Sequence, residues 1–229
     1  MPSALRLFRC GTIAYDAAWQ WQRDTAVAVR SGEPDALALL QHEPVYTFGR
    51  NIRRDHLLTS VEKLRSSGAE LVESDRGGDI TFHGPGQLVA YPILDLRRRQ
   101  LGPSDYVRAL EETLIRALDR FGITANRVAG RPGVWVDCEK IGAIGVRVQG
   151  GVTMHGFALN VAPDLSWYDA IVPCGISDAS VTSMERLGCL PVFSAVEDAV
   201  ADAFADVFNS VLMPVYEHPF AEPILTHGR

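Results

Sequence analysis

The stretch Arg76–Pro92 reads RGGDITFHGPGQLVAYP, and the rest of the chain is organised around it. Two apolar arms, at 80–82 and 88–91, flank Gly84-Pro85-Gly86, and Gly77-Gly78 precede the first arm. Glycine admits positive φ and lets a ligand approach the backbone closely. β-Branched and aromatic residues on the arms favour strands. The stretch predicts a glycine-rich bend entering a β-hairpin, with Arg76 and His83 at its two ends. A purely structural hairpin, with a buried arginine and a satisfied histidine, fits the same residues. Two further stretches carry chemistry that needs a pocket, Lys140–Gly145 and Pro173-Cys174-Gly175, and they favour the functional reading.

Working outward, alternation at Leu5–Arg9 predicts a first strand, and 15–30 has helical apolar spacing ended by Ser31-Gly32. Trp19 is expected in the core of that helix. Ala36–Leu40 reads as a buried strand and Val45–Phe48 as its continuation after His42-Glu43-Pro44. Ser60–Ser67 predicts a short helix stopped by Gly68, and Glu70–Glu73 a strand. Beyond the central stretch, Ser104 is expected to cap a helix through Phe121, with Gly122 as its stop. Ile123–Val128 and Val134–Asp137 read as strands. Residues 140–148 and 152–161 form a second predicted hairpin about Gly150-Gly151. Its alternation places Thr153, His155, Phe157, Leu159 and Val161 on one face. Small residues dot both arms (Gly142, Ala143, Gly145, Gly156 and Ala158), which marks close approach of a ligand or another backbone. Asp164–Ala170 is a short helical turn. Ser194 with Glu197 has the capping-box spacing, opening a helix to about Phe208. From Pro214 onward the chain reads as a flexible tail. The mixture of strand pairs with a few long helices predicts a single α+β (mixed α/β) domain over residues 1–229, with mixed and antiparallel sheets flanked by helices.

Composition bounds the function. The 229 residues are 47% apolar and 22% charged, ordinary for a globular domain. A formal net charge of −6 gives no support for nucleic-acid binding. No apolar run is long enough to span a bilayer, and the N-terminus lacks a signal-peptide core, so a cytoplasmic location is expected. The 4 cysteines, at 10, 138, 174 and 189, form neither a disulfide framework nor a zinc ribbon. Of 22 basic residues only Lys63 and Lys140 are lysine, which makes the placement of Lys140 informative.

Cys174 sits between proline and glycine, a setting that presents a thiol and equally suits an ordinary turn. Lys140 opens an apolar, glycine-dotted strand. An adjacent ammonium stabilises a thiolate, and a desolvated lysine loses its proton more readily. A lysine beside Cys174 fits an activated nucleophile that exchanges protons with a leaving thiol and an incoming amine. The alternatives are a strand-end lysine reaching solvent, a Cys–His pair using His83 or His155, and a metal site built from Cys174, His83 and His155. No spacing supports the metal. Arg50, Arg53 and Arg54, and again Arg97, Arg98 and Arg99, form basic clusters that read either as solvated faces or as contacts for an acidic partner.

Four motifs in register, RGGDITFHGPGQLVAYPI, KIGAIGVRV, HGFALNV and IVPCGISDASVTS, resemble the octanoyl (lipoyl) transferases of lipoate biosynthesis, over roughly residues 36 to 185. The resemblance implies the biotin/lipoate protein ligase fold, a Cys174 nucleophile and a catalytic Lys140. It implies substrate contacts from Arg76, Gly77, Gly78, Asp79, Ile80, Thr81, Phe82 and His83, from Ala143, Ile144 and Gly145, and from Gly156, Phe157 and Ala158. It implies transfer from octanoyl-acyl carrier protein, through a Cys174 thioester, to a specific lysine of lipoyl domains. The acceptors are those of 2-oxoacid dehydrogenase complexes and the glycine cleavage H protein. No ATP, cofactor, metal, nucleic acid or membrane is expected. In that frame the arginine clusters become docking candidates for acidic carriers. Two alternatives stay open: an ATP-dependent lipoate or biotin ligase of the same fold, and a non-catalytic module that binds acyl groups or lipoyl domains.

Overall fold

In a computed structural model, residues 2–172, 180–217 and 219–220 are described. Among these described residues eleven strands form two sheets. The larger has the order β11-β1-β2-β6-β10-β9-β8-β7. Its members are β1 (Ser3–Ile13), β2 (Asp35–His42), β6 (Gln87–Ile93), β7 (Asn126–Val128), β8 (Arg131–Val136), β9 (Glu139–Gln149), β10 (Val152–Asn160) and β11 (Ser210–Val215). Strands β11, β1 and β2 run parallel and the others join antiparallel. The smaller sheet is β4 (Glu70–Glu73), β3 (Val45–Phe48) and β5 (Ile80–His83), in the order β4-β3-β5.

The helices follow from their apolar stripes. Helix α1 (Tyr15–Arg30) places Ala18, Ala26 and Val29 on one face of the large sheet, against Ala38, Leu40, Val89 and Tyr91. Helices α3 (Pro103–Asp119) and α4 (Phe193–Val207) cover the other face through Leu110, Leu114, Leu118, Val196, Val200 and Phe204. Covered on both sides, every residue of β6 is buried, which is why it reads as a continuous apolar run. Helix α2 (Val61–Ser66) and a 3₁₀ turn at Leu165–Ala170 close the small sheet around Tyr46, Ile80 and Phe82.

Several expectations are corrected. Residues 80–83 and 87–93 are not a hairpin: β5 pairs β3 in the small sheet, whereas β6 lies between β2 and β10. Gly84-Pro85-Gly86 carries the chain from one sheet to the other. Gly86 has φ +83°, and a Cβ there would collide with the backbone of Ala162. Helix α3 is capped by Gly102 with Pro103 in its first turn, and Ser104 lies inside it. The Ser194–Glu197 box does not form; α4 starts at Phe193 behind Val192, without a side-chain cap. The strand expected over 123–128 is confined to Asn126–Val128. Pro214 belongs to β11, an edge strand whose register on β1 pairs it with Leu7. Trp19 is half-buried rather than core, with its ring 6.0 Å from that of His155. The Arg97–Arg99 triplet is divided: Arg97 and Arg98 are exposed, and Arg99 is withdrawn. Arg99, whose side chain is 5% exposed, bonds Asp35 at 2.6 Å, and Arg98 and Arg97 bond Asp35 and Asp95.

Candidate active site

Small residues make the floor of the site. Ala143 on β9 pairs Ala158 on β10, which pairs Val89 on β6; one step along, Gly145 pairs Gly156. All face the side of the sheet that α1 only partly covers. The small side chains of Ala143 and Ala158 leave a cavity beside them, walled by Tyr15, Arg76, Thr81, His83, Tyr91 and His155.

The glycine-rich loop lies against this floor. Gly77 N–H donates to Val146 O at 3.0 Å, and a Cβ on Gly145 would sit 3.1 Å from Gly77 O and 3.2 Å from Arg76 Cδ. On its other side the loop meets Gly49, where an added Cβ would collide with Gly78 O. Arg76 is buried and ties the loop to β3, donating from Nε to Thr47 Oγ1 (3.0 Å) and from Nη2 to Thr47 O (2.6 Å). Asp79 holds the next turn. Its Oδ1 accepts from Ile80 N and Arg53 N, and its Oδ2 pairs with His56 Nδ1. Alternation along β5 then sends Ile80 and Phe82 into the small sheet's core, and Thr81 and His83 to the cavity.

Two buried histidines, His83 and His155, line the cavity, a third, His42, packs behind His83 and Tyr91, and their partners fix their protons. His42 Nδ1–H donates to Ile13 O, and its Nε2 accepts from Tyr91 OH, both at 2.7 Å. Gln87 Nε2 donates to Asn160 Oδ1 and Tyr168 OH, so Gln87 Oε1 accepts from His83 Nδ1–H at 2.6 Å and Nε2 is that ring's acceptor. His155 Nε2–H donates to Asp75 Oδ1 at 2.6 Å, and Asp75 is paired with Arg147. Burial is the main cause that lowers all three from the usual 6.5: His42 to about 4, and His83 and His155 to about 3. All are neutral imidazoles at neutral pH.

His155 also departs from its strand. Its φ is +57°, and its ring lies on the α1 side with Trp19 and Tyr91 instead of joining Phe157 and Leu159 as alternation predicts. The β6–β10 ladder ends at Ala90–Phe157. Beyond it stands Pro92, which has no N–H to give. Its carbonyl accepts from Thr153 Oγ1, and the His155 N–H turns to Gln22 Oε1 on α1.

Lys140 is 5% exposed, with Nζ 4.9 Å from the Trp135 ring centroid. It lines a smaller cavity together with Ile141, Asn160, Tyr168 and Val181, and that cavity shares Thr81 and Ala143 with the main one. Cys174 lies outside the described residues. On one side of its segment Val172 N donates to His56 O at 2.8 Å; on the other, Lys140 N donates to Ser180 O at 2.9 Å.

Of the residues expected to contact substrate, Arg76, Thr81, His83, Ala143, Ile144, Gly145, Gly156, Phe157 and Ala158 line the main cavity. Gly77, Gly78, Asp79, Ile80 and Phe82 do not line it; they shape or support the loop and the small sheet. Sequence reasoning missed Tyr15, Val89 and Tyr91. The first reads as a helix start and the other two as core strand, and only the tertiary fold turns them to the cavity.

Solved structures share this architecture. The bi-partite lipoate protein ligase of Thermoplasma acidophilum superposes with a TM-score of 0.73 at 17% identity, over 96% of this chain and 89% of that one. The biotin protein ligase of Aquifex aeolicus, solved with biotin and ATP, gives 0.53 at 12% identity, over 90% and 70%. The fold is that of the biotin and lipoate protein ligases. The model of the lipoyl protein ligase A/B catalytic domain matches residues 14–205. An octanoyltransferase of Chloroflexus aurantiacus is 50% identical over 193 residues, 82% of this chain and 86% of that one. The chain therefore belongs to the lipoyl protein ligase A/B catalytic-domain family, and within it to the octanoyltransferases, which are acyltransferases.

Proposed function

We propose that this octanoyltransferase takes its acyl group from the phosphopantetheine thioester of acyl carrier protein. The group passes through a thioester on Cys174 to a specific lysine of lipoyl domains, without ATP. The acceptors are the lipoyl domains of 2-oxoacid dehydrogenase complexes and the glycine cleavage H protein. The observation that carries this reading is the cavity over Ala143, Gly145, Gly156 and Ala158, with buried Lys140 one wall away across Thr81 and Ala143.

In the first step Cys174 Sγ attacks the thioester carbonyl, and the pantetheine thiolate leaves and takes a proton. In the second, the lysine ε-amine attacks the Cys174 thioester, the amide forms, and the proton lost by the amine returns to the Cys174 thiolate by way of Lys140. Thioester exchange is near energy-neutral and amide formation is downhill, so no nucleotide enters the balance. Burial supports this role for Lys140, because an ammonium held beside a thiolate in a low-dielectric site stabilises it far more than in water. The anchoring of Val172 to His56 and of Ser180 to Lys140 supports it too. Acyl carrier proteins and lipoyl domains are commonly acidic. Arg50 and Arg53, exposed beside the glycine-rich loop, are the docking candidates on that side.

The test is transfer itself. Purified protein, octanoyl-acyl carrier protein and a lipoyl domain are mixed without ATP, and the domain is weighed by mass spectrometry. The expected result is one octanoyl amide on the acceptor lysine. Modification only when ATP and free octanoate are supplied would make the protein a ligase. No modification under either condition would leave a binding module.

A further inference from the structure

We propose that His155, backed by Tyr91, is the stop at the far end of the acyl pocket and sets the length of chain the enzyme accepts. The inference rests on the acyl-transfer reading above and adds a specificity-determining residue to it.

The pocket has a direction. At one end are Lys140, Ile141 and Asn160, in the cavity that shares Thr81 and Ala143 with the main one. Asn160 pairs with Gln87 on β6. Two residues along the strands comes the row Val89, Ala158 and Ala143. Two further come Gly156 and Gly145, with Tyr91 the next residue of β6 on that face. Successive rows on one face of a sheet are about 6.8 Å apart, so the three rows span about 14 Å. An extended octanoyl chain advances about 1.3 Å per bond, or about 9 Å from carbonyl carbon to methyl. A chain whose carbonyl lies at the Lys140 end therefore carries its methyl past the alanine row and ends about 5 Å short of the glycine row, which a dodecanoyl chain of about 14 Å reaches.

That row is where the protein departs from regular structure. His155 takes a left-handed conformation in mid-strand, sparsely populated for a non-glycine residue. The conformation moves its ring off the α3 side and across the end of the glycine row. The ring is then held from several directions: Asp75 on Nε2, Trp19 tilted beside it, Tyr91 at a near-perpendicular angle, and Gln22 on the backbone N–H. At 1% exposure it has no path to solvent. Strain that the surroundings over-determine in this way marks a functional position.

The chemistry of the stop is polar. His155 Nδ1, Trp19 Nε1 and Gln22 Nε2 are buried without hydrogen-bond partners among the described residues. The floor up to that point is alanine, glycine and valine. A longer chain must displace the imidazole and lay methylenes against polar atoms, so it meets both a steric and a desolvation barrier. An octanoyl chain ends before either.

The test uses acyl carriers of 4, 8, 10 and 12 carbons with wild type, His155→Gly and Ala158→Val. Glycine suits a φ of +57° and removes the ring. The expected result for His155→Gly is a fall of about tenfold or more in the kcat/KM preference for octanoyl over dodecanoyl, the scale a hydrophobic pocket gives for small changes in chain length. Ala158→Val fills the middle row and is expected to lose octanoyl relative to butanoyl by about the same factor. Calorimetric binding of the free fatty acids to all three proteins gives the same ordering without the chemistry. His155→Gly transferring octanoyl with the wild-type length profile would overturn the inference and leave the transferase reading intact. Wild type failing to transfer octanoyl at all would overturn the transferase reading. The stop is then judged by binding alone, and an unshifted preference in His155→Gly overturns it. Should His155→Gly not fold, an Ala158→Val profile identical to wild type overturns the direction on which the inference depends.

Discussion

His42, His83 and His155 show how individual residues link the site to stability. Each is buried as a neutral ring, and burial lowers its folded pKa from 6.5 to about 4, 3 and 3 respectively. Unfolded chain binds the proton more readily than folded protein throughout that window. Stability is therefore complete above the unfolded value and is lost as pH falls from 6.5 toward these folded values, on the order of 3 kcal/mol per histidine. Typical domains hold only about 5–15 kcal/mol in total. Tm is expected to fall steeply from pH 6.5 toward about 4, with a shallower fall in His83→Gln. A Tm flat through this window would show that the rings are not held neutral. Much at this scale was legible: the motifs point to Arg76, His83 and the small residues of β9 and β10. The positive φ of His155 was not legible, because its cause lies in Pro92, a residue of another strand that supplies no N–H.

At the scale of elements, β10 is the part most tightly specified. A Cβ at Gly156 would collide with Ala90 O and come within 2.6 Å of Pro92 Cδ. Gly156→Ala is expected to cost about 3 kcal/mol in urea unfolding, as overpacking against backbone does. Gly122→Ala, at φ +72° with nothing within 4 Å, should cost only the left-handed strain, about 1 kcal/mol. Equal costs would mean that β6 yields. The β9–β10 hairpin was readable because its partners are adjacent in sequence. The arms around Gly84-Pro85-Gly86 were read correctly as strands and paired wrongly. Periodicity shows which residues alternate, and it says nothing of which sheet receives them. Strand β11 was hidden for a similar reason: it pairs in parallel with β1 at the far end of the chain, and an edge strand tolerates Pro214. The caps lie two positions earlier than expected, at Gly102 and Val192, so Ser104 and Ser194 each sit inside the helix.

Over the whole molecule, charge divides into structural and presented groups. Asp35 at the start of β2 accepts from Arg99 Nε (2.6 Å), Arg98 Nη2 (2.8 Å) and the Asp95 N–H (3.1 Å), and Arg99 reaches on to Phe208 O and Ser210 Oγ. This cluster joins β2, the turn after β6 and the start of β11. Asp35→Ala strands the buried Arg99 charge and is expected to cost about 3–5 kcal/mol; a loss within error of zero would mean the cluster carries no weight. Arg50 and Arg53 are exposed, so reversing both to glutamate is expected to raise KM for the acyl carrier about tenfold with little change in kcat. An unchanged KM would remove that face as the docking site. Composition showed the arginine clusters without showing which arginine was buried, because burial of Arg99 depends on a partner 64 residues away.

The central claim is covalent passage of the acyl group through Cys174, and intact mass tests it most directly. The protein is incubated with octanoyl-acyl carrier protein without ATP, beside Cys174→Ala and Lys140→Ala. The account predicts one hydroxylamine-labile octanoyl adduct that maps to Cys174, is absent in Cys174→Ala and accumulates more slowly in Lys140→Ala. Octanoyl transfer to a lipoyl domain at the wild-type rate by Cys174→Ala, with no adduct on any protein, would contradict it.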